Sequence, residues 1–204
     1  MQSMACVKGG IEIPLYTGER QTIPFDLQTL AGLPAEFVDM AKTMLADIVA
    51  TGIGFFTIHG RTLKAGETLR RPGAHIDGSY DQAVFDWGGG GGSGWKVDQD
   101  GPALTTAEHE RLYLAASGGI ILASNYEACN GYVGEIDGQP GVGGDCTHLE
   151  LPEPFLLRRN TVYYGNNHFV HESLPMREAV HRVFVRINLP EDHIYKPVGT
   201  PIAA

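Results

Sequence analysis

From His181 to Leu189 the chain reads His-Arg-Val-Phe-Val-Arg-Ile-Asn-Leu, and the character of the side chains changes at every step. On a strand, residues i and i+2 share a face, so Val183, Val185 and Ile187 lie on one side. Arg182, Phe184, Arg186 and Asn188 lie on the other. A helix cannot sort these residues that way, so this segment demands a sheet with an apolar layer against Val183, Val185 and Ile187. The opposite face carries two guanidinium forks, each shaped to grip a carboxylate. The competing reading, a solvated face, fits poorly with Phe184 between the two arginines.

The rest of the chain is written in short segments. Its 204 residues include 27 glycines and 12 prolines, a density of turn residues that favours many short strands. Strands are expected at 53–59, 112–116, 120–124, 132–136, 161–164, 169–171 and 181–189, with Gly118-Gly119 read as a break and the tail after Pro190 as irregular. One helix is expected over 34–51. Phe37, Met40, Ala41, Met44, Leu45, Ile48 and Val49 form one face of a 3.6-residue period, with Pro34 in the first turn and Gly52 at the stop. A second helix is expected to start near Thr105, where Thr105-x-x-Glu108 has the capping-box pattern. The sum is a single domain over 1–204, mainly β with supporting helices, built as a jelly roll whose core spans 53–189. Two glycine-rich stretches, 88–92 between Trp87 and Trp95, and 138–144, read as mobile loops, the first as either a disordered surface excursion or a lid over a site.

Charge and cysteine usage narrow the function. The net charge of −9 disfavours a general nucleic-acid binder, whose affinity would come from lysine and arginine; Arg70-Arg71 and Arg158-Arg159 read as solvated pairs. Cys6, Cys129 and Cys146 are odd in number and widely spaced, so a disulfide framework or zinc finger is not expected, and a reducing, cytoplasmic compartment fits. No apolar run reaches membrane-spanning length, and residues 1–10 lack the pattern of a secretory leader.

The chemistry centres on His75-Ile76-Asp77. On a strand the imidazole and the carboxylate point to one side. A second histidine from a distant strand completes two nitrogens and one carboxylate, which leaves open positions on an octahedral ion and suits Fe(II) better than structural zinc. His171 is the preferred partner, and His168 the alternative. A rival pair, His148-x-Glu150, sits beside a glycine-rich stretch and just before Pro152 and Pro154, a poor setting for a paired strand. His59, His109, His181 and His193 read as structural or surface residues.

His75-x-Asp77, a distal His171 and an arginine eleven residues later at Arg182 follow one another in an order that resembles the Fe(II)/2-oxoglutarate-dependent oxygenase superfamily. The resemblance implies a double-stranded β-helix, iron held by His75, Asp77 and His171, and 2-oxoglutarate chelating the iron. It further implies that Arg182 anchors the far carboxylate, with Arg186 supporting it or gripping an anionic substrate. The substrate class is left open between a small molecule, a protein side chain and a nucleobase, the last disfavoured by the acidic charge, and Tyr80 reads as a core tyrosine that could also line the mouth. Two other classes share this layout: a cupin-like metalloenzyme without a keto-acid cosubstrate, and a metal-free jelly-roll binding or structural protein.

Overall fold

In the computed structural model, residues 1–70, 72–77, 117–141 and 144–203 are described. The alternating run is the spine of the protein. It lies in β11 (Val180–Ile194), which pairs antiparallel with β4 (Ile53–Leu63) on one side and β5 (Ser117–Ser124) on the other. Around them a seven-stranded antiparallel sheet runs in the order β12 (Thr200–Pro201), β2 (Ala5–Gly10), β9 (Thr161–Asn166), β5, β11, β4, β3 (Gln21–Asp26). A smaller sheet has the order β10 (Val170–Ser173), β6 (Cys129–Tyr132), β8 (Phe155–Leu156). A two-stranded ribbon joins β1 (Gln2–Ser3) to β7 (Gly134–Glu135).

Both faces of the large sheet are buried, and each matches one half of the alternation. Val183, Val185 and Ile187 join Phe56, Ile58, Ile121 and Tyr164 against Phe37, Met40, Ala41 and Met44 of α1 (Ala35–Leu45). On the other face, Phe184, Leu122 and Tyr163 meet Cys129, Leu157 and Phe169 from the region of the small sheet. That second face also holds Arg182 and Arg186, both fully buried. The solvated reading of this face is therefore set aside.

The helix is shorter than its apolar period. It stops at Leu45, because Ala46 turns to an extended ψ of 132° and Asp47 then takes a left-handed φ of 64°. Ile48 still packs on the core from the connection, whereas Val49 is 90% exposed. Gly118-Gly119 lies inside β5 and not between strands. A Cβ on Gly119 would lie 3.1 Å from the Gly165 carbonyl oxygen, so the glycine marks a close approach of neighbouring strands. The expected strand at 132–136 is divided, with β6 ending at Tyr132 and β7 entering a different sheet. β11 continues past Pro190 through an irregularity in register, and β12 follows, so the tail is partly ordered into the sheet. β1, β2 and β3 were not foreseen: β2 carries Lys8 and two glycines, and β3, an edge strand, carries Pro24. The expected strand at 112–116, the helix near Thr105, Tyr80 and the Trp87 to Trp95 loop lie outside the described residues. Among the described residues no helix is long and apolar enough to cross a membrane.

Gly131 pairs directly with His171 across β6 and β10. A Cβ there would stand 2.5 Å from the Phe155 ring and 2.8 Å from the Phe169 ring, which fill the layer beneath. Gly131→Val is expected to lower unfolding stability by about 1 to 3 kcal/mol through overpacking. Urea denaturation of both proteins measures this, and an unchanged midpoint would show that the layer can yield.

Candidate metal centre

The segment carrying His75 is tied to β10 by reciprocal backbone bonds. His75 N donates to His171 O and His171 N to His75 O, each at 3.0 Å. Its other edge is held by Ile76 N donating to Gly144 O and Cys146 N to Ala74 O, both at 2.9 Å. Fixing the backbone on two sides fixes where His75 and Asp77 project. The ligand atoms of His75, Asp77 and His171 all lie within 4.8 Å of one another, and all three residues are buried.

The ring nitrogens are sorted by their partners. His75 Nδ1 lies 2.7 Å from Gly73 O, and His171 Nδ1 lies 3.0 Å from Phe169 O. A carbonyl oxygen can only accept, so each Nδ1 carries the proton and a neutral ring presents its lone pair at Nε2. His171 Nε2 then stands 3.1 Å from Asp77 Oδ2, another acceptor. Two facing lone pairs repel unless a proton or a cation lies between them. The backbone carbonyls behind the imidazoles are the outer partners that orient metal-binding histidines.

Asp77 is held from several sides. Arg186 pairs with its Oδ2, and Arg70 NH2 lies 3.4 Å from Oδ1. Burial alone raises the pKa of this carboxyl, but Arg186, the hydrogen bond from His171 when a proton lies between the two, and Arg70 together outweigh burial and hold it well below the usual carboxylate range. The site therefore offers an ionised carboxylate and two imidazole nitrogens. That mixed oxygen and nitrogen set could hold a divalent metal ion.

Arg182 is placed differently. Its Nε donates to Ser124 Oγ at 3.2 Å, NH1 to Ser173 Oγ at 3.0 Å, and NH2 to Cys129 Sγ at 2.9 Å. Among the described residues those partners are all neutral, and the side chain is fully buried. The two arginines of one strand face have thus separated in role: Arg186 grips the candidate ligand Asp77, and Arg182 stands with hydroxyls and a thiol.

The rival motif does not assemble. His148 and Glu150 are exposed; His148 Nε2 meets Gln139 O at 3.1 Å and Nδ1 lies 4.0 Å from Asp145. His168 is buried but stands outside the triad. His181 bonds Tyr16 O and Thr62, and His193 bonds the Tyr164 hydroxyl, in keeping with structural roles. All three cysteines are free and buried.

Sequence reasoning missed Arg70, read as a solvated surface residue. Its guanidinium reaches Asp77 and also lies over the Phe184 ring, 5.6 Å from the centroid. It missed Ser124, Ser173 and Cys129 as well, which carry no pattern of their own and are gathered only by strand pairing. No protein-family model matches this chain, and no curated protein matches it either.

His75→Ala and His171→Ala should each abolish binding of one Fe(II) per chain, while His168→Ala and His148→Ala retain it. Anaerobic titration followed by elemental analysis reads this directly, and full iron in His171→Ala would remove the triad. A second expectation concerns pH. Burial, then the field of Arg20, Arg70, Arg61 and Arg182, lowers the His59 pKa from 6.5 to about 4. Between those values the unfolded chain binds the proton and the folded one does not, so stability is full above pH 6.5 and falls as pH drops toward 4. His59→Gln should lose less stability than wild type between pH 7 and about 4.5, measured by urea midpoints. Parallel losses in both proteins would contradict this assignment.

Proposed function

We propose that this protein is an Fe(II)- and 2-oxoglutarate-dependent dioxygenase that hydroxylates a small molecule or side chain, on a double-stranded β-helix. The reading rests on one observation above others: the buried His75, Asp77 and His171 cluster shares its interior with a fully buried Arg182 whose partners among the described residues are neutral. A guanidinium taken out of water with only neutral partners is costly, and an anionic ligand would offset that cost. Three of its five N–H groups are engaged, which leaves donors for a carboxylate.

Strand connectivity supports the fold reading. β4, β5, β9 and β11 belong to the large sheet. The intervening segments, namely the His75 bridge, β6 with β8, and β10, lie on the small-sheet side. A chain that crosses between two sheets in this way winds as a double-stranded β-helix and sets its ligands between the layers.

The residues present fit the metal and the cosubstrate. His75 and His171 would supply Nε2 and Asp77 a carboxylate oxygen, and Arg182 would receive the far carboxylate of 2-oxoglutarate. Iron held by these residues would supply the activation of O2, with 2-oxoglutarate as the two-electron reductant. The chain's own part is to bind and orient. Arg186 and Arg70 hold Asp77 ionised and fix its oxygens, the carbonyls of Gly73 and Phe169 fix the imidazoles, and the apolar layer around Phe184 limits water.

Purified protein with Fe(II) and 2-oxoglutarate should release succinate. Arg182→Ala should keep its iron but weaken 2-oxoglutarate by roughly a hundredfold to a few thousandfold, since losing one partner of a buried charge pair costs about 3 to 5 kcal/mol. Arg182→Lys should restore only part of that affinity. Iron bound with no succinate formed would favour a metalloenzyme that uses no keto acid.

A further inference from the structure

One cluster beside the triad extends past the groups that hold iron and keto acid, and only its Arg70 also touches Asp77. His59 of β4 is paired with Phe184, and Arg61 with Arg182, so four side chains of β4 and β11 share the inner face. Arg20 immediately precedes β3, one step beyond the Gln21–Ile58 pair, which brings it to the His59 side of that ladder. Arg70 comes from above, over the Phe184 ring and within 3.4 Å of Asp77. Residues 53–63, 117–124 and 180–189, the three central strands, contain no aspartate or glutamate along these stretches. Within a chain of net charge −9, this face thus carries arginines with no acidic residue on those stretches.

His59 marks the centre of the cluster. Its Nδ1 is buried and has no hydrogen-bond partner among the described residues. The ring feels Arg20, Arg70, Arg61 and Arg182 together, and with burial they keep it neutral at pH 7. A neutral imidazole among cations is a hydrogen-bond donor that adds no repulsion among them, and guanidinium forks match the oxygens of phosphate and carboxylate.

We infer that Arg20, His59, Arg61 and Arg70 receive an anionic group, phosphate or carboxylate, carried by the substrate. The inference rests on the proposed function for the word substrate; the anion site itself stands on the placement of these residues. Arg70 links the two, since it touches Asp77 on one side and the Phe184 layer on the other. An anion held there lies beside the iron ligands, and the remainder of the substrate can reach toward them. This is a second anion position, apart from the Ser124, Ser173 and Cys129 setting of Arg182.

Inorganic phosphate is the probe, titrated calorimetrically into the full-length protein at constant ionic strength. Saturable binding of one phosphate is expected, and saturating 2-oxoglutarate with Fe(II) under anaerobic conditions should leave it in place. The double substitution Arg20→Gln, Arg61→Gln should weaken it roughly tenfold to a hundredfold, as expected for lost charge-assisted bonds. The single Arg61→Gln, at an exposed position, should weaken it less while keeping the fold. His75→Ala, which removes iron, should not change it. Retained phosphate binding in a protein that binds no iron would uphold the anion site while ending the oxygenase reading. No saturable binding, binding indifferent to the double substitution, or displacement by 2-oxoglutarate would each overturn the inference.

Discussion

The pairing of Arg186 with Asp77 is the interaction on which this interior depends. Arg186 belongs to the central strand of the large sheet and Asp77 to the segment that borders the small one. Both are buried, so neither charge could be left alone without a large desolvation penalty. The pair spans the two layers at one point, and the backbone bonds between His75 and His171 anchor the same segment to β10. With both constraints satisfied, three ligand atoms from two distant parts of the chain converge. Replacing Arg186 with an apolar residue would leave Asp77 with fewer positive neighbours to balance its burial.

An acidic protein with a basic interior separates two uses of charge. Outside, the net charge of −9 favours solubility and disfavours polyanion binding. Inside, Arg182, Arg186 and Arg70 place positive charge beside the His75, Asp77 and His171 cluster, the setting the proposed anionic ligands would need. Low dielectric makes each such charge more effective than at the surface, which is why a few arginines suffice.

How much of this was legible in the sequence follows from which signals are local. The alternation from His181 to Leu189 is a property of one strand, and the H-x-D pair is a property of two residues on one face; both are visible without a fold. The helix was legible through its period, but its end was not, because the chain leaves the helix at Ala46 and Asp47 by backbone conformation and not by polarity. β2 and β3 were hidden by Lys8, Pro24 and paired glycines, residues that edge and near-edge positions tolerate. Gly118-Gly119 misled because glycine serves both breaks and close strand contacts. Partners such as Arg70 and Cys129 depend on long-range pairing, and nothing in their own neighbourhoods announces a role. Spacing alone did not show that Arg182 and Arg186 meet different partners; the pairing of Arg186 with Asp77 is a product of the fold.

One ion and one keto acid are proposed to meet at His75, Asp77 and His171. The most direct measurement is the visible charge-transfer absorption of the anaerobic protein with Fe(II), titrated with 2-oxoglutarate. A band that grows with the keto acid and saturates at one equivalent per chain, and that is absent from His171→Ala, is the predicted result. Iron bound stoichiometrically with no such band at any 2-oxoglutarate concentration would contradict the account.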